Sequence, residues 1–478
     1  MGGYKIGVDR KQLTLLPVCL DEYVPEDHIC RVIDAFTRQL DMFALGYKYA
    51  EYKDTGCRPY DPKTMLNLYI YGYLHRTRSS RRLRDEARRN IEVIWLMEGL
   101  TPDDKTICNF RKDNRAALKG TFLKFVQMCR RLGLYGEEVE AVDGTKVRAD
   151  NSLKHHYNGT VVKNELERVE RKIEEYMEAL EDGDKADAKE KEPGAEEIRA
   201  ALEELKERKE KYKVLKERIN EEGEISTVDS EARLMRSGGD GRKLDIGYNV
   251  QTVVDGKYHM VVDFEVTSNS GDTGYLHEMS ERAKEILEVE ALTSLADKGY
   301  YDSEDIAACE ANGVTCLVAK RSSWGNVKGK EFGKDNFVYD CERDVYVCPC
   351  KNVLERRCRK GVDGDGKARV YANYGACGKC PRRAECTKYK YREMWRHGYQ
   401  DVMDMVDERT RGNKELYQKR KEIVEHVFGT VKAVWGYRQY LCRGKEKATA
   451  ETTLIYLAYN IRRAVNIFKE SRLVPVFR

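Results

Sequence analysis

The spacing of apolar residues changes character along the chain. Over residues 20–135 they recur at helical intervals. Asp61-Pro62 marks a helix start, and Met65, Leu68, Tyr69 and Tyr73 then mark one face. A second helix is expected from about Ser80. A third is expected to open at Thr101-Pro102-Asp103-Asp104, a capping-box pattern with proline at the first helical position. From residue 137 the period shortens. EVEAVDGTKV reads as a strand, and KLDIGYNVQTVVDGKYHMVVDFEVT as two strands joined at Asp255-Gly256. A helix over about 274–288, the strand ALTSLADKGY, a helix from near Asp302 to Gly313 and the strand VTCLVAK follow. Helices are expected again over 408–434 and 446–468. Hairpins mixed with βαβ units imply an α/β sheet with helices packed on it.

Two inserts interrupt this pattern. Residues 160–224 are dominated by Glu, Lys and Arg, with Leu166, Val169, Ile173, Tyr176 and Leu180 spaced 3, 4, 3, 4. Ile198, Leu202, Leu205, Tyr212, Leu215 and Ile219 continue a similar seam, so an antiparallel helical hairpin is expected. Residues 321–405 hold the cysteine cluster: seven of the 15 cysteines lie between 341 and 386.

Composition narrows the class. With 478 residues the chain exceeds one ordinary core. Two domains are expected, a helical one over 1–135 and an α/β one over 136–478 that carries both inserts. No apolar run approaches the roughly 20 residues of a membrane span. Residues 1–30 carry acids at Asp21, Glu22, Glu26 and Asp27, unlike a signal peptide, so a cytoplasmic location is expected. In a reducing compartment clustered cysteines point to metal rather than disulfides. Cys348, Cys377, Cys380 and Cys386 form the expected structural zinc set, with Cys350 as a rival to Cys348 and Cys341 and Cys358 as spares. Buried free thiols are the plainer alternative.

The net charge of +4 does not identify a nucleic-acid binder, but its distribution is informative. Residues 76–89 hold seven arginines against Asp85 and Glu86, a net +5 over 14 residues. Arg81, Arg82 and Arg84 sit where a helix-turn-helix would present them to phosphates. A solvated face reads equally well from charge alone. Asp143 follows the apolar strand segment VEAV, and Asp297 follows SLA at the end of another strand. If those strands are neighbours, two carboxylates meet at one sheet edge. A third acid from a helix would complete an oxygen site for two divalent cations, the arrangement that phosphoryl transfer requires.

VDGTKVRADNS, IGYNVQTVVD, LADKGYYDSEDI and RKEIVEHVFGTVK, in this order, resemble the catalytic core of bacterial insertion-sequence DDE transposases. VPEDHICRVIDAF, SSRRLRDEARRN and TPDDKTICNFRKDN resemble the same family's N-terminal domain, and the nearest group is the eleven-eighty-two type. The resemblance implies a ribonuclease H-like mixed sheet, an all-helical DNA-binding domain, a helical-hairpin insert and a cysteine-rich, zinc-ribbon-like insert. It implies a catalytic triad of Asp143, Asp297 and Glu425 holding two Mg2+ ions, for which Mn2+ can substitute. Lys432, seven residues beyond Glu425, and Tyr417 and Arg420 upstream fall on DNA-contacting positions, with Lys421 an alternative to Arg420. The basic helices gain an end-recognition role. The implied partners are double-stranded DNA, as terminal inverted repeats and target, and a second copy of the chain in the active complex. The implied location is a bacterial nucleoid. Asn249 and Gln251 share one strand face, and either the cleft or solvent fits them; Asp272 reads as a loop or cap residue.

Three other functions remain open at this point. They are a stand-alone endonuclease on the same core, a non-catalytic DNA-binding regulator derived from a transposase, and a coiled-coil assembly protein. The heptads support the last only over the first insert.

Overall fold

The computed structural model describes residues 19–51, 58–185, 194–237, 243–320, 331–357 and 368–468. The chain divides into two compact units. One takes residues up to 134, residues 228–231 and the chain from 431 on; the other takes 135–227 and 232–430.

The first unit is helical. It contains α1 (Ile29–Arg38), α2 (Pro62–Leu74), α3 (Ser80–Arg89), α4 (Ile91–Leu96), α5 (Asp104–Asp113), α6 (Arg115–Arg131) and the C-terminal helix Lys445–Phe468. The Asp61 carboxylate caps α2 by accepting the Lys63 N–H at 2.8 Å. The spacing in α2 predicts one apolar face, yet every residue from Thr64 to Leu74 is buried. The segment between Thr64 and Leu74 has no charged residue, so it can be surrounded by α1, α4 and the C-terminal helix. The cap of α5 is Asp103, which accepts the Thr106 N–H at 2.6 Å. The expected capping box at Thr101 is therefore not the one used, and Pro102 stands before the cap. Grouped with the sheet from sequence, the C-terminal helix packs instead on α2 and α6. Its buried Glu451 receives Arg78 at 2.6 Å, and the Arg78 guanidinium lies over the Tyr437 ring.

The second unit is built on a mixed sheet. Its elements begin with β1 (Val139–Arg148), then β2 (His156–Asn158), α7 (Gly159–Lys185), α8 (Gly194–Glu222) and β3 (Glu224–Ser226). Next come β4 (Arg233–Ser237), β5 (Lys243–Asp255), β6 (Val261–Thr267), α9 (Leu276–Leu287), β7 (Leu292–Ala296), α10 (Ser303–Ala311) and β8 (Val314–Val318). The strand order is β4-β5-β1-β7-β8, and β6 also pairs with β5. β1 runs antiparallel to β5 and parallel to β7, and β7 runs parallel to β8. The Asp255 carboxylate organises the β5–β6 turn by accepting the N–H groups of Lys257 and Tyr258. α7 and α8 form the expected antiparallel pair, with Val162, Leu166 and Val169 packed on Tyr212, Leu215 and Ile219. β2 and β3 close the base of that pair. The side chain of Leu180, placed in the seam from sequence, lies outside the described residues.

The cysteine-rich insert contains more sheet than its sequence suggested. β9 (Val338–Asp340), β10 (Val345–Val347), β11 (Val353–Arg357), β12 (Ala368–Ala372) and, after the short helices α11 (Tyr374–Lys379) and α12 (Arg383–Cys386), β13 (Glu393–His397) form an antiparallel meander. Phe337, Tyr346, Leu354, Tyr371 and Met394 make its core. The helix expected over 408–434 is three elements: α13 (Gln400–Gly412), α14 (Lys414–Phe428) and a π-helical turn over Gly429–Val434. The break between α13 and α14 falls at Asn413, which leaves helical geometry (φ −110°, ψ 45°).

One core residue carries a cost. Glu140 on β1 is paired with Ser294 of β7 and is 1% exposed. The Ser280 hydroxyl donates to the Ser294 hydroxyl at 3.1 Å, and neither Glu140 carboxyl oxygen has a well-formed hydrogen bond, although both serines lie near enough to draw its pKa down a little. Burial pushes this carboxyl up from 4.5 to about 8. The folded chain therefore holds a proton that the unfolded chain releases above its own pKa. The stability from the protonated group is complete below 4.5 and declines as pH rises towards about 8. Glu140→Gln keeps the shape and removes the charge. It should stabilise the protein at pH 8.5 by a few kcal/mol, each pH unit between the two values being worth about 1.4 kcal/mol. At pH 4.5 it should change little. Denaturant unfolding of both proteins at the two pH values checks this, and an equal difference at both would show that Glu140 does not titrate as its burial requires.

Candidate active site

The site follows from strand register. β1 pairs with β7 in parallel through Val142↔Ala296, so Asp143, mid-way along β1, and Asp297, the residue that follows β7, stand together where that pairing ends. The Asp143 carboxylate accepts the Gly144 N–H at 2.8 Å and Arg420 Nη1 at 3.2 Å. Asp297 caps a short 3-10 turn over Lys298–Tyr300 and accepts the Gly299 N–H. Burial pushes the Asp143 carboxyl up to about 6; Arg420 pulls it down, and the charges of Asp297 and Asp272 push it further up.

Asp272, read from sequence as a loop or cap residue, lies at this edge. It receives Lys146 Nζ at 3.2 Å, Asn249 Nδ2 at 2.8 Å and Gln251 Nε2 at 2.9 Å. Asn249 and Gln251 thus face the cleft and not solvent, and both are fully buried. The hydroxyl of buried Tyr300 donates to the Gln251 Oε1. Gly144 admits the cluster: a methyl group there would sit 2.4 Å from Asp272 Oδ1 and 2.9 Å from Asn249 Oδ1. Lys146, Tyr300 and Gly144 were missed from sequence because their partners lie on other strands and loops, 49 residues away for Tyr300 and 126 for Lys146.

The helix α14 packs along β1, β5 and β7. Arg420, 11% exposed, and Tyr417 beside it face the aspartates. Arg420 is therefore engaged with Asp143 in this structure, and not presented outward as a DNA contact. Glu425 lies five residues further along α14, exposed, and its carboxylate has no hydrogen bond or ion pair among the described residues. The structure thus brings Asp143, Asp297, Asp272 and Arg420 together and leaves Glu425, on the helix of Arg420, with no hydrogen bond or ion pair to them among the described residues. The expectation that Lys432 shares Glu425's face assumed an α-helix throughout; the chain turns π-helical at Gly429, so seven-residue spacing no longer returns a side chain to one face.

Residues 18–113 match the family model described as Transposase domain (DUF772), and residues 347–465 match that described as Transposase DDE domain. Both matched segments are thus transposase domains, and the second is a DDE domain. The second match spans Glu425 and the cysteines; both aspartates lie between the two matched segments. A cryo-electron-microscopy structure of a piggyBac transposase synaptic complex with hairpin DNA aligns with 96% of this transposase and 78% of its own chain, at 7% identity and a TM-score of 0.30. No curated protein matches the sequence. No helix among the described residues is long and apolar enough to cross a membrane.

The transposase has two further groupings expected from its sequence. Cys348, Cys350, Cys377, Cys380 and Cys386 line one cavity. The turn after Cys348 is shaped towards its sulfur: Lys351 takes φ +60°, and the Asn352 N–H points at Cys348 Sγ at 3.3 Å. Burial and the neighbouring cysteines raise the Cys386 thiol. Cys341 is exposed and outside the cavity lining, and Cys358 lies outside the described residues. On α3, Arg81 and Arg82 are exposed, whereas Arg84 is partly buried and bonded to Asp85 and to Asp104 at the start of α5. Arg84 thus ties two helices together.

Proposed function

We propose that this transposase belongs to a bacterial insertion sequence of the eleven-eighty-two group, binds the terminal inverted repeats of its element, cleaves there and joins the freed 3′ hydroxyl to target DNA. The pairing of Asp143 with Asp297 at one sheet edge carries this reading. The mixed sheet is read as a ribonuclease H-like core. The catalytic residues are Asp143, Asp297 and Glu425, holding two Mg2+ ions, with Mn2+ able to substitute. The aspartates fit such ions: the hard carboxylate oxygens of Asp143 and Asp297 share one edge of the sheet, where Asp143 suffers both burial and like charge. The ions supply a lowered pKa for the attacking hydroxyl and charge for the leaving oxygen. Arg420 holds Asp143 at the sheet edge, and its guanidinium suits a phosphate once that carboxylate is neutralised otherwise. Tyr417 and Lys432 are assigned to the DNA backbone. A homodimer bridges the two element ends, in the bacterial nucleoid. The first unit binds the ends, and Cys348, Cys377, Cys380 and Cys386 hold a structural zinc that fastens α11 and α12 to the meander.

The triad is tested by Mg2+-dependent nicking of a DNA fragment carrying one element end, with binding measured in parallel. Asp143→Asn, Asp297→Asn and Glu425→Gln should each bind normally and lose at least ~100-fold in nicking, since charge stabilisation by metal is worth several kcal/mol. Near-normal nicking by a variant removes that residue from the site. The zinc reading predicts that Cys380→Ser loses about one zinc per chain by elemental analysis; unchanged zinc content refutes it. For end recognition, Arg81→Ala with Arg82→Ala should weaken binding to terminal-repeat DNA and flatten the salt dependence by about 0.9 in log–log slope per lost phosphate contact. An unchanged slope places the contact surface elsewhere.

A further inference from the structure

His28, Cys30 and Glu92 meet in the helical unit, and none of them belongs to the aspartate site, the cysteine cavity or the arginine surface. Their donor atoms lie within 4.8 Å of one another. His28 is the N-cap of α1 and Cys30 lies in its first turn; Glu92 lies in the first turn of α4. Cys30 is fully buried, and the side chains of His28 and Glu92 are 29% and 32% exposed. The group has an inner sulfur and an outer rim open to solvent, which gives an ion a route in.

The surrounding bonds aim the ligands. The Tyr71 hydroxyl donates to Glu92 Oε2 at 2.7 Å, which leaves Oε1 turned to His28 Nε2 at 3.6 Å. Asn90 Nδ2 supports the Tyr71 hydroxyl at 3.0 Å, and its Oδ1 accepts the Glu92 N–H. A bonded carboxylate behind a ligand set is a common way of orienting it. The His28–Glu92 separation is long for a hydrogen bond, and no bond ties the Cys30 thiol to either. His75 stacks on Tyr71 with ring centroids 4.1 Å apart and feels the charges of both Glu92 and His28.

We propose that His28, Cys30 and Glu92 form a second metal site, for a zinc-like divalent cation, whose fourth position takes water or His75. One sulfur, one imidazole nitrogen and one carboxylate oxygen suit zinc better than magnesium or calcium, which take oxygen alone. A thiolate and a carboxylate balance the two positive charges. Binding releases the Cys30 thiol proton. It moves the imidazole proton from Nε2 to Nδ1, so the ring gives up the 3.3 Å contact in which Nδ1 accepts the Cys30 N–H. The ion would join the start of α1 to the start of α4. It would also be connected to the basic helix, because Asn90 Nδ2 bonds Glu86 on α3 at 2.9 Å and Glu86 pairs with Arg89.

The test uses the full chain, loaded with zinc and dialysed into metal-free buffer, with zinc content and thermal unfolding measured. His28→Asn is the decisive variant, because asparagine is a good N-cap and keeps the structural role while removing the imidazole. Glu92→Gln still accepts the Tyr71 hydroxyl but loses the anionic ligand. Each should hold one zinc fewer per chain than the unaltered protein and lose a zinc-dependent rise in Tm, with the fold intact by circular dichroism. Cys380→Ser is the control for the cysteine cavity. If His28→Asn and Glu92→Gln retain all the zinc of the unaltered protein, the group is a capping and hydrogen-bond cluster only. A loss in Cys380→Ser alone would leave the cysteine site standing and overturn this one.

Discussion

The parallel pairing of β1 with β7 is the constraint on which the rest of the site depends. It fixes Val142 against Ala296, and the chain has no freedom to separate the two aspartates that follow. Two carboxylates held together away from water repel each other, and Asp143 shows the strain in a carboxyl pushed up to about 6. The surrounding structure offsets that strain only partly. Arg420 covers one oxygen of Asp143, and backbone N–H groups of Gly144 and Gly299 cover one oxygen of each aspartate. The remaining imbalance is what the proposed divalent cation would relieve, so on that proposal the register that costs folding energy also creates affinity for metal.

A second layer keeps the edge from collapsing. Asp272 is a third carboxylate at the edge, but Lys146, Asn249 and Gln251 all point donors at it. It is thereby a fixed acceptor that orders the strand face behind Asp143. Gln251 passes the order on to Tyr300, in the 3-10 turn that Asp297 caps. Asp272 is thus linked through the Gln251 and Tyr300 side chains to the turn that carries Asp297. Such networks are rigid when fully paired, and here the Asn249 Oδ1 alone is left unpaired. Gly144 is required because any side chain would occupy the space of the Asp272 carboxylate.

Much of this was legible in the sequence, for local reasons. The cap at Asp61, the turn at Asp255-Gly256 and the heptad seam of α7 and α8 depend on residues close together in the chain, and each formed as read. Both aspartates were legible as acids following apolar strand segments. What was not legible depends on pairing between distant segments. Asp272 looks like a loop residue until β5 is laid beside its loop, and Arg420 looks like an outward contact until α14 is packed on β1. The C-terminal helix was grouped with the sheet because it follows α14 in sequence; its buried Glu451 finds its cation in Arg78, over 370 residues earlier. The strands of the cysteine-rich insert are three to five residues long, too short for a period to declare itself.

The basic helix shows how a charge count overstates a binding surface. Of the arginines on α3, Arg84 is bonded across to Asp104 and Arg89 to Glu86, both within the helical unit. Arg78, just before the helix, is held by Glu451 and Tyr437. Arg82 and Arg88 are exposed and have no ion-pair partner among the described residues, and Arg81 reaches Asp104 only at 3.8 Å. An arginine already paired must break that pair to meet a phosphate, and gains correspondingly less. Arg81, Arg82 and Arg88 therefore form the surface that can release counterions, while the paired arginines fix the angle at which α3 presents it. The density of arginine in this segment thus serves both the architecture of the helical unit and its charge.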